Sequence, residues 1–157
     1  FPYTTLFRSM RFAEVLLNYA EAANEAFGPE ARPLLNGTPA IRSAREAINM
    51  VRARAGQPAI AAGITQDALR DRIRNERRVE LAFEEHRFFD VRRWKIAELT
   101  ESQPLRGMRV RRSGPTSFSY EPFVVEPRVF LPKMYWYPIP FAEVAKSNGS
   151  IQQNPGW

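Results

Sequence analysis

The chain has 157 residues, no cysteine and a formal charge of +6. This length suffices for one domain with its own core, and the lack of cysteine excludes disulfides and thiolate metal ligands. No apolar run approaches the roughly 20 residues that a membrane-spanning helix needs. The basic balance favours anionic partners, but most arginines alternate with acidic residues, as they do on solvated helix faces and in ion pairs.

The first nine residues differ in character from the rest of the chain and resemble the translated sequence of a sequencing adapter. We expect residues 1–9 to be non-native and set them aside from the fold, as one does with an affinity tag. The chain is then expected to be a fragment, so the lack of a signal peptide or lipid-attachment cysteine says nothing about the location of the parent protein.

Two helices are predicted in the first third of the chain. The first runs over residues 11–27 and stops at Gly28, because apolar residues recur at spacings of three and four. Its inward face is expected to comprise Phe12, Leu16, Tyr19, Ala23 and Phe27. Thr38 followed by Pro39 is typical of a helix start, so the second helix is predicted from there to about Ala55. Its inward face is expected to comprise Ile41, Ala44, Ile48, Val51 and Ala55.

A third helix is predicted after the N-cap Thr65. Its buried stripe is expected to comprise Leu69, Ile73, Arg77 and Leu81. A break near Glu85 or His86 separates it from a short fourth helix over about 87–99. Residues 101–140 are rich in Pro, Gly and Ser, with short strands or extended pieces expected near Val124 and Phe130. The sequence thus predicts an all-α fold, an antiparallel array of helices with an irregular, loop-rich C-terminal segment.

Arg77 is unusual because it lies on an apolar stripe. A buried guanidinium needs a carboxylate partner, since an unpaired buried charge costs several kcal/mol. Asp90 or Glu84 could supply that partner through a bidentate bond. We therefore expect a structural ion-pair network that fixes how the third and fourth helices cross. Its members are expected to be Glu76, Arg77, Glu80, Glu84, Arg87 and Asp90.

The acidic residues of this segment also allow a catalytic alternative, the carboxylate pair of a glycoside hydrolase. The candidate pairs are Glu84 with Glu85, or Glu76 with Glu80. Carboxylates crowded by arginines stay ionised and make poor general acids. His86 is the single histidine, so no transition-metal shell can be completed. No catalytic residue, metal site or cofactor is predicted.

A second charged segment lies in the loop-rich region. It places four arginines in seven residues with no acidic residue between them, namely Arg106, Arg109, Arg111 and Arg112. Phe118 and Tyr120 follow and could stack on nucleic-acid bases or on sugar rings. A solvated loop, a nucleic-acid site and a contact with anionic sugars or lipopolysaccharide all fit this pattern. Phe118 and Tyr120 are the candidate ligand-binding residues.

Several segments resemble, in order, the C-terminal region of the SusD/RagB family. They are Arg11–Ala22, Glu76–Lys95, Pro138–Pro140 and Gln153–Gly156. The resemblance implies that residues 10–157 form the C-terminal domain of such a protein, with helix pairs packed in tetratricopeptide-like fashion. It also implies that the N-terminal part of the parent is missing. The matching segments look like scaffold motifs, so no glycan-contact residue is carried over from the family.

The function implied by the resemblance is non-catalytic capture of a polysaccharide or oligosaccharide at the cell surface. The parent would be an outer-membrane lipoprotein, anchored through a lipid in the missing N-terminal part, that delivers its ligand to a SusC-like TonB-dependent transporter. The alternative is a basic helical scaffold that binds nucleic acid or a protein partner through the Arg106–Arg112 run, although no nucleic acid is expected under the first interpretation. The sequence does not specify the glycan.

Overall fold

The structure is a computed structural model that describes residues 11–157, with the side chain of Leu35 left out. The expectation that residues 1–9 are non-native falls outside these residues. The chain divides into two compact units, and the boundary along the sequence lies between Arg87 and Phe88. Within the described part, no helix is long and apolar enough to cross a membrane.

The first unit contains α1 (Phe12–Phe27), α2 (Ala44–Arg54) and α3 (Gln66–Glu80). Helix α1 packs against both α2 and α3. Small side chains are buried on α1 and α2, which lets the two helix backbones approach closely; these are Ala20, Ala23, Ala44 and Ala47. Larger residues complete the core, namely Leu17, Ile48, Val51, Leu69 and Ile73. At about 25 cal/mol per Å² of apolar surface removed from water, this core is the main stabilising element of the unit.

The predicted inward face of α1 is only partly correct: Ala23 is buried, and Leu16 and Tyr19 are partly buried against the core. The buried residues are Ala13, Leu17, Ala20, Ala23 and Asn24. Phe12 is 69% exposed, and Phe27 is exposed as well. The periodicity is the same for both faces, so spacing alone does not decide which of the two sets is fully buried. Gly28 ends the helix with φ at 84°, a conformation that a residue without a Cβ adopts at little cost.

The predicted start of the second helix is also wrong. Thr38 and Pro39 form β2 (Thr38–Pro39), which pairs with β1 (Leu34–Leu35) across a tight Asn36-Gly37 turn with both φ values positive. Helix α2 instead begins after Ser43, whose Oγ accepts from the Glu46 backbone N–H while the Glu46 carboxylate accepts from the Ser43 N–H. This capping box satisfies donors that the first turn would otherwise leave unpaired.

The prediction for α3 is confirmed. Thr65 is its N-cap, and the Thr65 Oγ1 accepts from the Ala68 backbone N–H at 3.3 Å. The predicted stripe is buried and comprises Leu69, Ile73, Arg77 and Leu81. The predicted break follows directly, because Phe83 and Glu85 both have positive φ, which an α-helix cannot accommodate. Helix α4 (His86–Arg93) begins after this break.

The second unit contains most of α4, then α5 (Ala97–Thr100), β3 (Leu105–Arg112), β4 (Phe118–Glu126), a 3-10 turn over Pro132–Tyr135 and α6 (Phe141–Lys146). Strands β3 and β4 pair antiparallel as a hairpin. The prediction of an all-α fold is therefore confirmed only in part, because the described residues are rich in helix but also include this antiparallel hairpin. The segment predicted to be irregular contains regular strands, because apolar and polar residues alternate along it.

The second unit has its own small core, which comprises Val91, Ala97 and Phe130 with Ile96, Met134 and Tyr135 packed against it. The Phe130 and Tyr135 rings meet edge to face with centroids 4.9 Å apart. The Arg92 guanidinium lies 3.4 Å from the centroid of the Phe88 ring. These contacts bury aromatic area and place one cation on a ring face, and both stabilise the unit.

The chain end is tied to the segment around Pro138 and Pro140. The Gln153 side-chain amide accepts from the Ile139 N–H at 2.7 Å and donates to the Ile139 carbonyl at 2.8 Å. The Trp157 indole N–H donates to the carbonyls of Lys133 and Trp136, at 3.0 and 3.1 Å. These two stretches, which the sequence marks as scaffold motifs, thus hold each other in place.

Candidate functional site

The charged side chains of the first unit include carboxylates that the sequence offers as catalytic or structural residues. Glu76 is 7% exposed, and its Oε2 accepts from Arg52 Nη1 at 2.6 Å. Arg52 also donates from Nε to the Pro58 carbonyl at 2.8 Å. The pair joins α3 to α2, and the guanidinium in turn fixes the chain that follows α2.

Glu80 and Glu84 lie beside a second group of arginines. Glu80 Oε1 is 2.5 Å from Arg54 Nη2 and 3.0 Å from Arg11 Nη2. Arg11 also reaches Glu84, with its Nη2 at 2.9 Å from Oε1. The carboxylates of this region are therefore held in charge-assisted hydrogen bonds.

The remaining predicted members of the network are Arg77 on α3 and Arg87 and Asp90 on α4. Arg77 is buried and donates from Nη1 to Asn18 Oδ1 at 2.5 Å. Asp90 is also buried, and its Oδ1 accepts from the Arg93 guanidinium at 2.8 Å. Arg87 is the last residue of the first unit. The structural role expected for the six residues stays a prediction. Sequence reasoning missed three arginines that engage them, Arg11, Arg52 and Arg54, because their partners are distant in the chain.

Three glutamates outside this group have pKa values below the ordinary range. Hydrogen bonds from Arg70 lower the pKa of Glu25, and hydrogen bonds from Arg45 lower the pKa of Glu30. The Ser43 backbone N–H, followed by Arg32, lowers the pKa of Glu46. Since each shift comes from a partner that stabilises the charged form, these carboxylates act as structural anions.

His86 and the acidic residues near it do not form a metal site. His86 Nε2 lies 3.9 Å from Glu14 Oε2, at the start of α4. Within residues 11–157 no group of three or more histidine, cysteine, aspartate or glutamate side chains could hold a metal ion. A groove between α1 and α2, with a volume of about 520 Å³, is lined mostly by apolar side chains such as Phe12 and Leu16.

The candidate ligand residues Phe118 and Tyr120 lie on β4 of the hairpin. They are two residues apart, so they share one face of the strand. Their cross-strand partners on β3 are Arg112 and Val110. The same face continues away from the turn with Met108 opposite Pro122 and with Arg106 opposite Val124. We call this set of eight residues the aromatic face of the hairpin.

The aromatic face is open to solvent. Phe118 is 51% exposed and Tyr120 is 65% exposed, and Met108, Val110 and Val124 are exposed as well. An exposed, contiguous apolar strip on a regular backbone is a common feature of binding surfaces. The structure thus places Phe118 and Tyr120 together and accessible, as a ring-stacking site requires.

The opposite face of the hairpin is more polar. Arg109 Nη1 lies 3.3 Å from Glu121 Oε2, and its guanidinium is 5.1 Å from the centroid of the Phe123 ring. Gly107 lies under that ring, and a Cβ there would come within 2.9 Å of the ring edge. The contacts of Arg109 with Glu121 and Phe123 are cross-strand pairs that stabilise the hairpin.

Taken together, the described residues form a helix-rich structure in which arginines engage several carboxylates and an exposed hairpin carries adjacent aromatic side chains. These features suit a binding protein. A model of the SusD family matches residues 3–157, and the chain belongs to this family.

Three relatives illustrate the similarity. SusD-like protein P2 of Formosa agariphila is 34% identical over 161 residues, covering 98% of this chain and 26% of that protein. A solved SusD-like protein of Bacteroides fragilis is 38% identical with a TM-score of 0.73, covering 94% of this chain and 25% of that chain. A solved SusD homolog of Bacteroides thetaiotaomicron is 26% identical with a TM-score of 0.60, covering 94% of this chain and 26% of that chain. The chain spans about a quarter of the length of each relative.

Proposed function

We propose that this chain is the C-terminal part of a longer protein that binds a glycan without chemically altering it. Membership of the SusD family carries this proposal. The small share of each relative that the chain covers supports the view that residues 10–157 are one region of a larger parent. In that parent the helices of the first unit would pack with further helices in tetratricopeptide-like fashion.

The parent is proposed to lie on the outer surface of the outer membrane, held by a lipid anchor outside this chain. It would deliver its ligand to a SusC-like TonB-dependent transporter for nutrient uptake. These points are inferred from the family resemblance. In that family, one protein captures the glycan and a second protein imports it. A polysaccharide or oligosaccharide is the proposed partner, with no cofactor.

The absence of catalysis is supported by the state of the carboxylates. A glycoside hydrolase needs two carboxyl groups across a sugar-sized cleft, one of them protonated as the general acid. Glu76, Glu80 and Glu84 each lie within 3.0 Å of a guanidinium nitrogen, so their oxygens are engaged in ion pairs between side chains. Carboxylates engaged in this way are suited to a structural role.

Phe118 and Tyr120 are the proposed glycan contacts within this chain. Sugar rings present apolar C–H faces that pack on flat aromatic rings, and the Tyr120 hydroxyl adds a hydrogen-bonding group. The two exposed rings on one face of a strand could support neighbouring sugars of one oligosaccharide. This arrangement requires no movement of the backbone.

The test is a glycan array probed with the 157-residue chain, followed by titration with any glycan that binds. We expect binding that Tyr120→Ala weakens about tenfold, the loss typical of one stacking contact. Phe141→Ala is the matched control, because it removes another exposed ring of the second unit, in α6. The proposal is overturned if no glycan binds, or if bound oligosaccharides are cleaved during long incubation.

A further inference from the structure

The distribution of charge on the hairpin points to the chemical class of the ligand. Strand β3 carries four arginines, whereas β4 carries only Glu121 and Glu126 as acidic residues. The turn between them, residues 113–117, contains no charged residue. The hairpin is therefore cationic overall, and only Arg109 is paired with a carboxylate within it among the residues that the structure describes.

Arg112 holds its charge at one end of the aromatic face. Its Nε donates to the Gly114 carbonyl at 2.9 Å and its Nη2 to the Pro115 carbonyl at 2.7 Å. Both acceptors are neutral, so they fix the guanidinium without neutralising it. The Nη1 group has no acceptor among the described residues, and Phe118 lies directly across the strand pair. A ligand stacked on Phe118 would meet an oriented cation with a free donor group.

Arg106 stands at the other end of the same face. It is exposed, and no described residue accepts a hydrogen bond from it or forms an ion pair with it. Arg106 and Arg112 are six positions apart, which corresponds to about 20 Å along a strand. Between these two cations the face is apolar and aromatic. An exposed strip of this kind, with a positive charge at each end, is complementary to a chain of rings with apolar faces and widely spaced negative charges.

We propose that the aromatic face binds an acidic glycan, a saccharide chain whose sugars carry carboxylate or sulfate groups. Sugar rings stack on Phe118 and Tyr120, and oxyanions on the chain pair with Arg112 and Arg106. Arginine suits this role because its planar fork of N–H groups matches the oxygens of carboxylates and sulfates. This inference rests on the proposed glycan-binding function and adds the charge of the ligand to it.

Nucleic acid is the competing polyanion, and the face fits it poorly. A nucleic-acid strand carries one charge per about 3.4 Å of helix axis and is bound through closely spaced cationic contacts. Two arginines about 20 Å apart on this face do not follow such a backbone. A saccharide with occasional acidic sugars matches the spacing better.

The test titrates the 157-residue chain with pairs of glycans that differ only in charge. The carboxylate arm uses polygalacturonate oligomers against the same oligomers as methyl esters, and the sulfate arm uses carrageenan oligomers against their desulfated form. A single-stranded oligothymidine probe reports nucleic-acid binding. We expect at least one acidic glycan to bind about tenfold more tightly than its neutral counterpart, with the preference decreasing as salt rises.

Variants then separate charge from folding. Arg106→Gln removes a guanidinium with no partner among the described residues, so it should lower the preference for the acidic form several-fold without a cost to the hairpin. Arg112→Gln should also lower the preference for the acidic form, and Arg112→Lys should restore part of it. Arg78→Gln is the matched control, because this exposed arginine of α3 likewise has no described partner. It should leave the preference unchanged.

Each outcome decides one question. Equal binding of acidic and neutral glycans overturns this inference while the proposed glycan-binding function stands. Binding of no glycan of either kind overturns both. Oligothymidine binding as tight as the best acidic glycan, with the same response to Arg106→Gln, overturns the inference in favour of a nucleic-acid site.

Discussion

The ion pair between Arg52 and Glu76 offers a direct test of how the first unit is stabilised. Replacing Glu76 by leucine removes a carboxylate that is 7% exposed and that lies 2.6 Å from the guanidinium. Breaking a fully buried pair by removing one partner costs about 3–5 kcal/mol. The Arg52 side chain is 19% exposed and keeps its bond to the Pro58 carbonyl. Because water and that carbonyl solvate the remaining charge, we expect a smaller loss, about 2 kcal/mol of unfolding free energy.

The assay is urea denaturation of the 157-residue chain at neutral pH, followed by two probes. Far-ultraviolet circular dichroism reports mainly on α1, α2 and α3, which have 16, 11 and 15 residues. Tryptophan fluorescence reports on the second unit, because Trp94, Trp136 and Trp157 all lie there. A loss confined to the dichroism transition would assign the effect of Glu76→Leu to the first unit.

A double-mutant cycle isolates the pair itself. The variant with both Arg52→Met and Glu76→Leu should lose less than about 1 kcal/mol, because apolar side chains of similar size replace both charges. Arg78→Ala, on the exposed side of α3, serves as the control and should change stability by no more than about 0.5 kcal/mol. The reasoning fails if Glu76→Leu costs no more than Arg78→Ala, or if the two single losses simply add.

Three further predictions concern other contacts. Ser43→Ala should lower the unfolding free energy by about 1 kcal/mol in the same denaturation assay, because it removes one half of the capping box of α2; no change would contradict the assigned helix start. Gln153→Glu should loosen the chain end, because a carboxylate accepts from the Ile139 N–H but cannot donate to its carbonyl, and amide hydrogen exchange at Ile139 should rise. Unaltered exchange there would contradict the role given to Gln153. The free energy of unfolding should fall on acidification. A carboxyl group whose pKa is lowered in the folded state contributes stability above its ordinary pKa of 4.5. That contribution is lost as the pH falls through the pKa of the folded state. The groups responsible are Glu25, Glu30 and Glu46. Thermal denaturation across the acidic range checks this, and a flat profile would contradict it.

Sequence reasoning succeeded where a local rule determined the structure. Thr65 as an N-cap, Gly28 as a helix end and the buried stripe through Arg77 all follow from side-chain chemistry within one or two turns. The start of α2 was missed although two local signals mark it. Asn36-Gly37 is typical of a tight hairpin turn, and Ser43 with Glu46 three residues later is typical of a capping box.

Other features depend on contacts that the sequence does not display. Whether α1 buries its phenylalanines or its alanines depends on how closely α2 approaches, so periodicity alone left the face undecided to within one residue. The arginines that engage Glu76 and Glu80 come from positions more than twenty residues away. For the candidate site, the sequence singled out Phe118 and Tyr120, but only the register of the hairpin shows which arginines share their face.

The segment Pro138–Pro140 has a consequence for how this protein behaves at high concentration. An extended stretch at a protein surface ordinarily presents a row of amide hydrogens to which a strand of another molecule can add. The two prolines have no such hydrogen, and the one on Ile139 is already taken by Gln153. The stretch therefore offers no free amide hydrogen to a strand of another molecule, and its prolines oppose aggregation as well as shaping the backbone.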